Sequence, residues 1–130
     1  MRSRRYRILV IDDEAAVREN VVRFLELEGY LPSEAEDGER GIQAALRSPP
    51  DLILCDLMMP GVDGFGVLAR LRAEPATAGV PFVFLTASAD MEDARVGFLL
   101  GANEYLTKPF SLPVLGAIIQ QKLAAVMERG

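Results

Sequence analysis

The residues of this chain best suited to chemistry stand at the ends of apolar runs. Asp12 and Asp13 follow "RILVI", Asp56 follows "DLILC", Thr86 closes "VPFVFLT", and Lys108 follows "NEYLT". One acid at the end of a strand does no more than cap a turn. Three acids brought together with a lysine and a hydroxyl do more. Their carboxylates repel, and their pKa values rise unless a cation sits among them. Hard oxygen ligands with room for water suit Mg²⁺ or Mn²⁺. The chain has no histidine, which excludes histidine metal ligands, histidine general bases and phosphohistidine chemistry on this protein.

Whether these residues meet depends on the elements that carry them. After "RILVID" the period changes, and Val17, Val21, Phe24 and Leu25 fall on one helical face that ends at Gly29. "YLPSEAE" is a strand weakened by Pro32. Asp37-Gly38 opens a helix with Ile42, Ala45 and Leu46, which Ser48-Pro49-Pro50 stops. "DLILCD" is a third strand, and Asp63 caps a helix with Phe65, Leu68 and Leu71. "VPFVFLTA" is a fourth strand. Asp90 then starts a helix whose expected core stripe is Met91, Ala94 and Phe98, and Gly101 ends it. "NEYLTK" is a short fifth strand. Ser111 caps a last helix, with Pro113 in its first turn and a stripe of Leu115, Ile118, Ile119 and Val126. This alternation predicts an α/β fold, a parallel sheet with helices on both faces. In such a sheet all five strand-end residues crowd onto one edge, where ligands bind.

The composition is that of one ordinary domain: 130 residues, half of them hydrophobic and a quarter charged. No stretch approaches the ~18 apolar residues of a membrane helix, and no signal peptide is evident. The single cysteine, Cys55, forms no internal disulfide, so a cytoplasmic location is expected. A net charge of −5 argues against direct nucleic-acid binding. The basic segment "RSRRYR" reads as a solvated tail, residues 1–5 lying outside a core of residues 6–128.

The motifs "VIDDE", "DLMMPGVDG", "FLTA" and "GANEYLTKPF" occur in this order. Each is weak alone, and together they are specific. The chain resembles, over essentially its whole length, the receiver domain of bacterial two-component response regulators. The resemblance implies a flavodoxin-like sheet of strand order 2-1-3-4-5. It implies that Asp56 accepts a phosphoryl group from a histidine kinase or phosphotransfer protein, as carboxylate nucleophiles do elsewhere. Mg²⁺ would be held by Asp13, Asp56 and the Met58 carbonyl, with Asp12 acting through water. Lys108 and Thr86 would contact the phosphoryl group, joined by the Ala87 amide. Thr86 and Tyr105 would form the switch, and Lys108-Pro109 would be cis. Met58 and Ser88 would flank the water that removes the group. Met58 and Met59 are then loop residues rather than core. The output face would include Leu99, Glu104, Tyr105 and the last helix, in contact with a partner or a second copy.

Three positions depart from that pattern. Gly66 lies inside a helix, where it costs about 1 kcal/mol against alanine, with no functional reason evident. Asn103 stands where an acid is common. Leu99 is off its helix's stripe, at a position expected to be exposed. Leu123 and Met127 are apolar residues beyond the last helix's expected stripe. Two other readings are weighed. One is a regulatory fragment of a longer response regulator or sensor protein rather than a stand-alone receiver. The other is a hydrolase of the haloacid-dehalogenase type. Its nucleophile is followed two residues later by a second acid, whereas Asp56 is followed by Leu57 and Met58.

Overall fold

The structure is a computed structural model that describes residues 5–129, with side chains through Val126. The basic tail, save Arg5, and the Met127 side chain lie outside the described residues. The elements alternate without exception: β1 (Arg7–Ile11), α1 (Ala15–Leu27), β2 (Leu31–Ala35), α2 (Gly38–Arg47), β3 (Leu52–Cys55), α3 (Gly64–Arg72), β4 (Phe82–Thr86), α4 (Met91–Leu99), β5 (Glu104–Thr107) and α5 (Leu112–Arg129). The strands form one parallel sheet in the order β2-β1-β3-β4-β5. Pro32 is thereby on an edge strand, where its missing N–H costs least.

Side chains alternate across the sheet and build two cores. Ile8, Val10, Leu52, Leu54, Val83 and Leu85 point to one face, covered by Val21 and Leu25 of α1 and by Leu115, Ile119 and Leu123 of α5. Leu9, Ile11, Ile53, Cys55, Phe82 and Phe84 point to the other, covered by Ile42 and Ala45 of α2 and Val67, Leu68 and Leu71 of α3. The central strands β3 and β4 are therefore buried at every position, and apolar save for Thr86 at the end of β4, because both faces are covered.

Local signals set the ends of the helices. Asp37 accepts from the Arg40 amide at 2.8 Å and Asp63 from the Gly66 amide at 2.9 Å. Asp90 caps α4 and Ser111 caps α5 in the same way. Gly29 and Gly101 take φ of +89° and +107°, which favours glycine.

Three expectations are corrected. Met91 and Phe98 do not face the core; they are exposed, and Gly97 is the buried residue of α4. The reason is Phe84: a Cβ on Gly97 would stand 3.1 Å from its ring, so the helix approaches by its side-chain-free position. Leu123 is a core residue, 3% exposed, rather than a surplus apolar residue. Met59, although in a loop, packs into the core cluster with Val67 and Leu68. Leu99 is exposed, as expected from its place off the stripe.

Candidate functional site at the carboxyl edge of the sheet

Backbone pairing carries the ladder one residue beyond the strands and so pins the site residues. The Asp12 amide donates to Ala35 O at 3.2 Å, the Asp56 amide to Ile11 O at 2.9 Å, and the Lys108 amide to Thr86 O at 2.7 Å. Asp12, Asp56, Thr86 and Lys108 thus begin from neighbouring points on one edge. Asp13 follows Asp12 into the loop before α1. The Lys108-Pro109 peptide is cis.

The three acids come together. Asp12, Asp13 and Asp56 each offer a carboxylate oxygen within 4.8 Å of the others. Asp12 and Asp56 are buried and Asp13 is exposed, so the group opens to solvent on one side. Lys108 Nζ donates to Asp12 Oδ2 at 3.0 Å and stands 3.6 Å from Asp56 Oδ2. Burial raises the Asp56 pKa above the ordinary carboxylate value; Lys108 opposes this, and Asp12 and Asp13 add to it. Burial alone would lower the Lys108 pKa, but its bonds to Glu14 and Asp12 and the charges of Asp12 and Asp56 raise it. One lysine does not neutralise three acids. The donor set, all hard oxygen, and the surplus charge fit Mg²⁺.

The loop after β4 is stitched to the site. Thr86 is fully buried, and its Oγ1 accepts from the Ser88 amide at 3.2 Å. Ser88 Oγ donates to Asp93 Oδ2 at 2.7 Å, tying the loop to α4. Tyr105 is half-buried against Phe84, and its hydroxyl donates to Ser88 O at 2.9 Å rather than to solvent alone. The Met58 amide donates to Asp56 Oδ1 at 3.2 Å, and the Met58 side chain is exposed beside the site. Leu99 is not part of this cluster. Glu104 pairs with Lys122 of α5 at 3.9 Å.

Two residues of the site went unnoticed in the sequence. Glu14 accepts from Lys108 at 3.0 Å. Arg18 Nη1 donates to Asp12 O at 2.7 Å while its Nε reaches Glu34 Oε1 at 2.8 Å. The third acid of "DDE" was the available signal for Glu14. Arg18 had none, because its partner in the site is a backbone carbonyl and Glu34 meets it only through the pairing of β2 with β1.

Residues 8–120 match the family model described as the response regulator receiver domain. The chain belongs to this family. It is 44% identical over 117 residues to the DNA-binding dual master transcriptional regulator RpaA of a Synechocystis species, covering 90% of this chain and 48% of that protein. It is 43% identical to the phosphate regulon transcriptional regulatory protein PhoB of Escherichia coli, covering 95% of this chain and 52% of that protein. The receiver therefore spans about half the length of the curated relatives it matches. Among solved structures it is similar to the receiver domain of a sensor histidine kinase of Pseudomonas aeruginosa, with TM-score 0.86 and 30% identity, covering 93% of this chain and 99% of that one. That receiver holds a magnesium ion in its active-site cleft. Among the described residues of this receiver no helix is long and apolar enough to cross a membrane.

Proposed function

We propose that this receiver is a phosphorylation switch in which Asp56 is the phosphoacceptor. The observation that carries the reading is the meeting of Asp12, Asp13, Asp56 and Lys108 at one edge of the sheet. An Asp56 carboxylate oxygen attacks the phosphorus of a phosphohistidine or a small acyl phosphate. The bond from phosphorus to the leaving nitrogen or oxygen breaks, its electron pair leaves with that group, and an acyl phosphate forms on Asp56. Such transfers need positioning and charge neutralisation more than covalent help. The ladder bonds supply the positioning. Lys108, held within reach of Asp56, supplies a fixed positive charge for the phosphoryl oxygens. Thr86 supplies a hydroxyl, which leaves Ser88 N as it turns. Asp12, Asp13, Asp56 and the Met58 carbonyl are the groups proposed to hold Mg²⁺, which would offset the carboxylate charge that otherwise repels an anionic donor.

The added group carries about −1.5 to −2 charges. Movement of Thr86 is felt at Ser88, and through it at Tyr105 and Asp93. This biases a two-state loop at the start of α4. The proposed readers are a histidine kinase or phosphotransfer protein at the site, and a target or second copy at the α4–β5–α5 face.

The test is incubation with acetyl phosphate and Mg²⁺, read by intact mass. The expected result is one added phosphoryl group, lost in Asp56→Asn and lost on chelation of the metal. Undiminished labelling of Asp56→Asn rejects the assignment. Continued turnover of the donor, without a lasting adduct, would favour a hydrolase.

A further inference from the structure

At rest, Lys108 has a partner that phosphoryl transfer to Asp56 does not require. An ammonium has three N–H donors. One goes to Asp12 and one to Glu14, both at 3.0 Å, and Asp56 lies beyond hydrogen-bond reach at 3.6 Å. The two held partners differ. Asp12 is buried, and its other oxygen accepts from the Glu14 amide at 2.9 Å, so it is fixed in place. The Glu14 side chain is 59% exposed. Glu14 stands at the N-cap of α1 yet makes no side-chain cap bond. Its carboxylate can therefore trade Lys108 for water without exposing core or loosening the helix. Of the contacts on Lys108, this is the one that can be given up at little cost.

We propose that Glu14 is a positioning residue that draws Lys108 away from Asp56 in the resting protein and releases it when a tetrahedral anion occupies Asp56. The inference rests on the reading of Asp56 as phosphoacceptor. Glu14 then sets how readily the site accepts and keeps its phosphoryl group. Removing its charge weakens this hold on Lys108, because a neutral amide oxygen accepts less strongly than a carboxylate, and makes a donor easier to turn to the incoming oxygens. The neutral isostere Glu14→Gln keeps the size and the helix start.

The experiment measures the affinity of the full chain for beryllofluoride with Mg²⁺, for the unaltered protein and Glu14→Gln, at low and high salt. The Lys108 ammonium resonance is followed by NMR in the absence of beryllofluoride. Glu14→Gln is expected to bind the mimic roughly two- to fivefold more tightly at low salt, the range of an exposed ion pair. The gap should narrow at high salt, where the pair is screened. The Lys108 resonance should broaden as its shield from water exchange weakens. Equal or weaker binding by Glu14→Gln overturns the inference. Tighter binding with an unchanged Lys108 resonance also overturns it, since Glu14 would then act only as a bare charge. No binding by the unaltered protein would instead reject the phosphoacceptor reading beneath it.

Discussion

At the scale of single residues, the position of Asp56, the proposed phosphoacceptor, costs stability. Burial, with Asp12 and Asp13 nearby, raises its folded pKa above the unfolded value, and Lys108 offsets this only in part. A raised carboxyl pKa contributes stability below the unfolded pKa, and that contribution is lost as pH rises through the folded value. Asp56→Asn is therefore expected to be more stable than the unaltered protein at pH 7 without divalent metal. The difference should fade as pH drops below the carboxylate range. Urea unfolding across that pH range checks this, and a less stable Asn variant at pH 7 contradicts it. The strand-end acids were legible in the sequence because each follows an apolar run. Glu14 was not singled out as a ligand of Lys108, because its meeting with a residue 94 positions away is decided by the sheet order.

At the scale of elements, tight approaches matter more than propensity. Gly64 begins α3 under the Asp56 peptide. A Cβ there would stand 2.5 Å from Asp56 O and 2.8 Å from Leu57 Cα, backbone atoms that cannot turn aside. Gly64→Ala is expected to cost about 1–3 kcal/mol and to slow labelling of Asp56 by acetyl phosphate. Gly66→Ala is the control, since its Cβ meets side-chain atoms alone, Val62 Cγ1 at 2.9 Å and Asp63 Oδ1 at 3.7 Å. Equal labelling rates in the two variants would remove Gly64 from any part in setting Asp56. Val62 also gives Gly66 a packing reason that the sequence lacked. Asn103 gains a role of the same kind: its Oδ1 accepts from the Phe82 amide at 2.8 Å and from Arg72 at 3.1 Å, joining the α4–β5 turn to β4 and α3.

At the scale of the whole molecule, α4 leaves apolar surface uncovered. Met91 and Leu99 are 85% and 71% exposed, and Phe98 is about half exposed. On the proposed function, phosphorylation is expected to act through Ser88 at the start of this helix and to change association through the α4–β5–α5 face. Self-association would be two-fold, each copy using the same patch. Light scattering with and without beryllofluoride checks this, repeated with Leu99→Glu. A monomer in both states rejects regulated self-association. A dimer indifferent to Leu99→Glu places the contact on another face.

The sequence by itself determined the element order, the parallel sheet and the edge that carries Asp12, Asp13, Asp56, Thr86 and Lys108. The physical reason is that these are local: runs buried on both faces, caps such as Asp37 and Asp63, and the positive-φ glycines at 29 and 101 are written within a few residues of one another. What only the tertiary structure decided is which side of a weakly patterned helix faces inward and which charges meet across the edge. In α4 the ring of Phe84 selects Gly97 over Phe98, although Phe98 is the more hydrophobic residue. In α5 the length of the helix against β1, β3 and β4 brings Leu123 into the core. The partners of Lys108 depend on β5 lying three strands from β1, which leads to Asp12 and Glu14, and two from β3, which leads to Asp56, spacings that exist only once the sheet has formed.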